Sequence, residues 1–427
     1  MFLRTTDSEI ADALQGELNR ERDGLEMIPS ENFVTPAILE ALGSVGTNKY
    51  SEGYPGGRYY GGCEFVDVIE NLARDRAKAL FKVDHANVQP ASGCAANIAA
   101  MFALLDPGDT LMGMSLSFGG HMTHGLSVNF SGKYYKSVQY TSDKNGYLDF
   151  DQMMVLAKEH KPKLLIVGAT AYPRIIDWQK AREVADSVGA FLMADVSHIS
   201  GLIVSGDHPS PVGIADVITT TTHKTLRGPR GAMILCNGNA STPLKAAERT
   251  RENIPTLVDR AIIPGIQGGP HNHQTAAIAV ALLEASKPEF KEYGHQIVLN
   301  AKALAAALME HGFELVTGGT DNHLMVVDLT NKGLSGKEGQ MALEAAGITV
   351  NKNTVPFDPR KPFDPSGIRL GTPALTTRGM KEEEMKLIAT WINRAVSEHQ
   401  NADALNKIKT EVKELTSKFP LYPGLNY

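Results

Sequence analysis

The sequence predicts an α/β fold, with a large domain built on a mostly parallel sheet and a smaller α+β domain after it. Three observations carry that expectation. From about residue 81 to 236 short apolar runs alternate with helical periods, as in βα units whose sheet is covered on both faces. After Pro270 the pattern changes to long helices with isolated strands. The length of 427 residues gives room for two to three domains at roughly 150 residues each.

Taken in order, Ile10, Leu14 and Leu18 recur at i, i+4 and i+8 behind Thr6 and Asp7, so residues 7–22 are expected to form an amphipathic helix. Between Ile28 and Cys63 prolines and glycines interrupt any period, and Tyr50, Tyr54, Tyr59 and Tyr60 are interleaved with them. A long aromatic loop of this kind is expected to be functional rather than disordered. Residues 64–81 are expected as a helix with Phe65, Val68, Ile69, Leu72 and Leu80 on one apolar face. The strand candidates of the large domain are 109–116, 163–168, 190–195, 216–222 and 232–236, with helices near 95–105, 149–160 and 178–188. Helices near 271–285 and 289–312, strands near 323–329 and 367–371, and closing helices near 380–399 and 402–418 complete the chain. The expected organisation is an N-terminal arm over 1–50, a large domain over 51–283 and a small domain over 284–427.

Composition narrows the function classes. A formal charge of −6 offers little to nucleic acid or to an anionic membrane surface. Cys63, Cys94 and Cys236 are three widely spaced cysteines without a CxxC pair, which argues against a disulfide framework or zinc ribbon and fits the cytoplasm. The N-terminus has no basic n-region followed by an apolar core, and no run of about 18 apolar residues occurs, so neither a signal peptide nor a membrane span is expected.

Ligands of open α/β sheets sit beyond the carboxyl ends of the strands, which directs attention to polar residues just after apolar runs. Ser92-Gly93-Cys94-Ala95 opens an alanine-rich helix; it is either an ordinary turn or a set of backbone N–H groups offered to a phosphate. Asp195 ends a strand run, where a buried carboxylate needs a donor or a cation, and His198 follows three residues later. Lys224 stands after four consecutive threonines and beside His223, the setting of a solvated lysine or of a nucleophilic one. His121 and His124 have a metal-compatible i, i+3 spacing, but no third ligand lies near and flanking glycines oppose a helix, so no metal is expected. The segment from Asn331 to Lys337 fails as a phosphate loop, because Asn331 replaces the first glycine and Glu338 the final hydroxyl residue.

Lysine, strand-end aspartate and small-residue turn, in this chain order, resemble a fold-type I pyridoxal-phosphate enzyme. The segments TNKYSEGYPGGRYYGGCE from Thr47, TTTTHKTLRGPRG from Thr219, Gly119–Gly125, Gln267–Pro270 and Ser366–Pro373 are similar to the serine hydroxymethyltransferase family over nearly the whole chain. The resemblance implies transfer of the serine hydroxymethyl group to tetrahydrofolate, with pyridoxal 5'-phosphate as cofactor, tetrahydrofolate as co-substrate and a homodimer with shared active sites. It makes Lys224 the Schiff-base lysine, Asp195 the partner of the pyridinium nitrogen, and His121 the ring-stacking group. Ser92, Gly93, Cys94, Thr170, His198 and Arg230 would bind the cofactor, with Gly268 and Gly269 contributed by the neighbouring chain. Glu52, Tyr50, Tyr60, His223 and Thr222 match catalytic positions. Ser30, Glu52, Tyr60 and Arg369 match substrate positions, and Leu116, Gly120, Met122, Asn353 and Phe363 match folate positions. Three departures stand out: Phe118 where the family commonly has histidine, Cys94-Ala95 where its phosphate turn usually reads Ser-Gln, and an insertion near 240–261. A folate-independent 3-hydroxy-amino-acid aldolase on the same scaffold is the alternative function, and a non-catalytic regulatory subunit is a further one.

Overall fold

A computed structural model describes residues 2–427 and divides the chain into two compact units. One is Phe33–His295; the other joins the stretch up to Asn32 to Gln296–Tyr427, the division falling inside the helix Pro288–Glu310.

The first unit is organised by seven strands: β1 (His85–Asn87), β2 (Thr110–Met114), β3 (Lys136–Tyr140), β4 (Leu164–Val167), β5 (Phe191–Asp195), β6 (Val217–Thr221) and β7 (Ala232–Cys236). Their spatial order is β1-β7-β6-β5-β4-β2-β3, with β7 antiparallel to both neighbours and every other pairing parallel. The five apolar runs singled out in the sequence become β2 and β4–β7. Two strands lacked such a run. β1 is three residues long and carries two polar ones, and β3 sits at the sheet edge with only Tyr140 buried. β4, β6 and β7 are buried at every position, as strands covered on both faces must be.

The helices around this sheet form where expected, including α1 (Glu64–Phe81), α2 (Gly93–Leu104) and α3 (Asn272–Ala285). The face of α1 differs from expectation. Phe65, Val68 and Leu72 are 76%, 55% and 43% exposed, and the buried residues are Val66, Glu70, Ala73, Ala77 and Phe81. Alanines let α1 pack closely on the small-residue helix α3, and Glu70 tolerates burial because Arg58 donates to it at 2.8 Å and Gln89 at 3.0 Å. A pattern that weighs large apolar side chains misses a face made of alanine and a paired carboxylate.

In the second unit β8 (Glu314–Leu315), β9 (Leu324–Asp328), β10 (Asn351–Asn353) and β11 (Gly367–Gly371) form an antiparallel sheet in the order β8-β9-β11-β10. Its core joins Leu304, Leu308, Met325 and Leu343 to Ile388, Trp391 and Ile408 of the closing helices α4 (Glu382–Ser397) and α5 (Ala402–Ser417). The rejected phosphate-loop segment leads into the helix Gly336–Ala345: Ser335 caps it and Glu338 returns the bond, a reciprocal capping box. The N-terminal helix Ser8–Asp23 buries Ala11 and Leu18, while Ile10 is 50% and Leu14 39% exposed. No described helix is long and apolar enough to cross a membrane.

Arg378 ties this unit together. Its guanidinium donates to the carbonyls of Glu21, Arg22, Gly24, Thr416 and Phe419, joining the end of the N-terminal helix to the end of α5. Burial lowers Arg378 to about 10, which leaves it cationic at neutral pH. Replacing it by an apolar side chain strands five carbonyls, so Arg378→Met is expected to destabilise the protein by about 2–4 kcal/mol, read as a lower urea midpoint.

Candidate active site

The carboxyl ends of the parallel strands carry the chemistry. β5 ends in Asp195, β6 runs into Thr222, His223 and Lys224, the loop after β4 carries Thr170, and the loop after β2 carries Leu116, Gly120, His121 and Met122. Gly93, Asn97, His121, His124, Thr170, Asp195, Ser197, His198 and Lys224 line one cleft, with Lys224 buried in its wall.

Asp195 is the fixed point. Its carboxylate accepts from Asn97 Nδ2 at 2.8 Å, His124 Nε2 at 3.0 Å and the Ser197 amide at 3.1 Å. Burial alone would raise this carboxyl; the hydrogen bonds it accepts, His124 foremost and then Ser197, outweigh that and hold Asp195 well below the usual range. The His121 amide donates to His124 Nδ1 at 3.3 Å, so the His124 proton sits on Nε2, facing Asp195. The spacing that resembled a metal pair serves a carboxylate instead.

A second chain of bonds sets His121. Asn97 Nδ2 donates to Thr123 Oγ1 at 2.8 Å, and Thr123 Oγ1 lies 2.8 Å from His121 Nδ1, which also accepts from the Thr123 amide. Burial lowers His121 to about 4, so its ring is neutral at physiological pH. Burial, with the charges of Lys224 and Arg230, lowers His223 to about 3.

The opening turn of α2 forms another wall. Ser92 adopts an extended conformation and its Oγ accepts from the Ala95 amide at 3.2 Å, the geometry of a helix cap. Gly93 is required by space, since a Cβ there would stand 2.6 Å from Thr221 Cγ2. Cys94, half-buried, has its thiol pushed up by burial and by the Asp195 charge.

Around Lys224 the backbone is tightly held. Thr222 Oγ1 donates to the Pro229 carbonyl at 2.6 Å, and Thr225 Oγ1 donates to the His198 carbonyl at 3.0 Å while accepting from the Gly201 amide. Thr170 Oγ1 donates to the carbonyls of Gly119 and Gly120 at 3.1 and 3.2 Å.

A different group forms elsewhere in the same unit. Tyr50 meets Tyr60 edge to face at 5.5 Å, and both are exposed. A Cβ on Gly268 would stand 2.9 Å from Glu52 Oε1, and one on Gly269 would stand 3.0 Å from Tyr50 Cζ. Tyr50, Glu52, Tyr60, Gly268 and Gly269 therefore sit together, and none lines the Lys224 cleft. In the other unit Arg369 on β11 donates from Nε to Asn351 Oδ1 at 3.1 Å; burial lowers it to about 10, partly offset by Glu31. Asn353 Nδ2 donates to the Thr354 carbonyl at 2.7 Å, Phe363 is 85% exposed, and Ser30 lies in the turn after Pro29.

Sequence reasoning missed Asn97, Thr123 and Ser197, which hold the site's charge and rings. Only the requirement that a strand-end carboxylate be met by donors hinted at them.

The cleft fits pyridoxal phosphate. A glycine-lined helix N-terminus suits the phosphate, a carboxylate kept ionised suits a protonated ring nitrogen, a neutral imidazole suits a ring face, and Lys224 supplies the amine. The buried Asn97 Oδ1 has no hydrogen-bond partner among the described residues. Fold and cleft together define a pyridoxal-phosphate-dependent enzyme of fold type I. The sequence profile described as serine hydroxymethyltransferase matches residues 3–392. A serine hydroxymethyltransferase of Acidobacterium capsulatum is 53% identical over 426 residues, covering 100% of this chain and 96% of that protein. The chain belongs to the serine hydroxymethyltransferase family.

Two outcomes follow from this geometry. Asn97→Leu removes a bond to the ionised carboxylate worth about 1.5–3 kcal/mol, so pyridoxal-phosphate binding is expected to weaken at least about tenfold in an absorbance titration of the apoprotein. His121 is near 4 when folded, against about 6.5 unfolded. Between those values the unfolded chain holds more protons, so stability falls as pH falls. His121→Gln is expected to flatten that decline by up to about 1.4 kcal/mol per pH unit, measured from urea midpoints at about pH 6.5 and about pH 4.5.

Proposed function

We propose that this protein transfers the hydroxymethyl group of serine to tetrahydrofolate, giving glycine and 5,10-methylenetetrahydrofolate. The observation that carries the reading is the ionised, triply hydrogen-bonded Asp195 in one cleft with Lys224, within a chain of this family. Bound there, pyridoxal phosphate supplies a ring that accepts the electron pair released at the substrate α-carbon. Asp195 keeps the ring nitrogen protonated, and the neutral His121 covers a ring face without competing for that charge. Gly93 and its neighbours at the start of α2 would present backbone N–H groups to the phosphate, aided by Arg230, while Thr170 would line the cofactor cleft and His198 would close its strand-end side.

Arg369, planar and cationic, takes the serine carboxylate, with Ser30 beside the amino acid. Glu52 moves the proton of the serine hydroxyl, with Tyr50 and Tyr60 positioning it. Leu116, Gly120, Met122, Asn353 and Phe363 receive the folate. A reducing compartment such as the cytoplasm suits the unpaired Cys63, Cys94 and Cys236.

Glu52, Tyr50, Tyr60, Gly268 and Gly269 lie apart from the Lys224 cleft of their own chain, which supports a homodimer in which each chain completes the other's site. The exposed Phe65, Val68 and Leu72 stripe of α1 supplies an apolar face for such pairing. Purified holoenzyme is expected to form methylenetetrahydrofolate only with both serine and tetrahydrofolate present. Failure to do so, with folate-independent cleavage of 3-hydroxy amino acids instead, overturns the assignment. Mixing inactive Lys224→Ala and Glu52→Gln chains is expected to restore about a quarter of wild-type activity, since half the dimers are mixed and each mixed dimer has one intact site.

A further inference from the structure

A second cleft, of about 670 Å³, lies in the Phe33–His295 unit and shares no lining residue with the Lys224 cleft. One wall is the short hairpin Gly53–Gly57 with Tyr59, another is the face of α1 carrying Arg74 and Lys78, and a third is the segment Asn239–Leu244. Its volume lies in the range of small-molecule sites.

The floor is polar and fully engaged. Asp259 accepts from Asn87 Nδ2 at 2.8 Å and pairs with His85 Nε2 at 2.9 Å, while Tyr54 donates to the Asp259 carbonyl at 2.8 Å. Asp84 accepts from the Gly238 amide at 2.9 Å, which fixes the start of the segment after β7 against the residue that precedes β1. Lys78 is paired with Asp75 at 2.8 Å. Arg74 is different: its side chain is half-buried, lines the cleft, and among the described residues makes no direct hydrogen bond or ion pair, although its charge acts on Glu70 and Tyr54. A guanidinium partly removed from water with its donors unused is a fork awaiting a planar or tetrahedral oxyanion.

We propose that this cleft is a second binding site, distinct from the Lys224 cleft, for a small anionic metabolite whose carboxylate or phosphate is held by Arg74 with Lys78 at its rim. Asp84 and Asp259 face the same space, so the site favours an anion carrying one oxyanion group toward Arg74 over a densely charged polyanion. The hairpin that walls the cleft lies between Glu52 and Tyr60 in the chain, so occupancy stiffens the segment that bears both. The proposal is independent of the reaction assigned above.

The test uses pyridoxal-phosphate-loaded enzyme, in which the phosphate of the Lys224 cleft is already occupied, with calorimetric titration of inorganic phosphate and, separately, glutarate, at ionic strength matched by chloride. Saturable binding of at least one probe at about one site per chain, with unchanged cofactor absorbance, is expected; the tighter probe identifies the oxyanion class. Arg74→Gln is expected to weaken it at least about tenfold. If neither probe binds saturably, if chloride reproduces the signal, or if Arg74→Gln binds as the parent does, the proposal is overturned. Should Arg74→Gln prove poorly folded, Arg74→Lys decides: it keeps the charge without the fork, so weakened binding supports the site and undiminished binding overturns it.

Discussion

The buried carboxylate of Asp195 is the constraint on which the active cleft depends. In an apolar strand end an isolated carboxyl would take up a proton and lose the charge a protonated ring nitrogen needs. Three donors prevent this, and each is set by a different part of the fold. Asn97 comes from the second turn of α2, His124 from the loop after β2, and the Ser197 amide from the turn that follows β5 itself. The requirement explains one of the two histidines in the loop after β2: His124 meets the carboxylate, while His121 lines the cleft and its amide fixes the tautomer of His124. Ser197 is tied in turn to β6, because its Oγ accepts from the Thr221 amide at 3.1 Å. The charge of one side chain thus fixes the relative placement of α2, β5, β6 and the loop after β2.

Lys224 benefits from the same construction. The stiff threonine run brings the chain to the cleft through β6, where all five positions are buried. Past the strand, Thr222 and Thr225 turn their hydroxyls onto backbone carbonyls, so neither competes for the amine. The Thr222 bond thereby ties the chain just before Lys224 to the Pro229 carbonyl.

Much of this was legible in the sequence for a physical reason: buried parallel strands are dense apolar runs, and the polar residues that end them stand out. Asp195 and Lys224 are visible that way, and β4 to β7 with them. What was not legible depends on pairing across the chain. β1 and β3 lack the apolar density of central strands, and the buried face of α1 is hidden by Ala73, Ala77 and the Arg58–Glu70 ion pair. Asn97, 98 residues from Asp195 in the chain, is an ordinary helical asparagine until the fold brings the two together. His124 carried a signal in its metal-compatible spacing from His121, a pair that lacks a third ligand; its partner is a carboxylate 71 residues away, which spacing along the chain does not reveal.

The turn Ser92-Gly93-Cys94-Ala95 shows how a departure from the family pattern acts through local physics. Ser92 Oγ already accepts from the Ala95 amide, so its lone pairs serve the helix while its hydroxyl proton remains for an anion. Gly93 keeps the backbone close to β6, where any side chain would meet Thr221. At the next position a thiol replaces the usual hydroxyl. Burial and the Asp195 charge push that thiol up, so Cys94 is neutral at physiological pH and brings no repulsive thiolate to an incoming phosphate. It is nevertheless a weaker donor than a serine hydroxyl. A phosphate held at this turn would therefore rest less on side chains and more on the free N–H groups and positive end of α2, which depend on the backbone and are unaffected by the substitution.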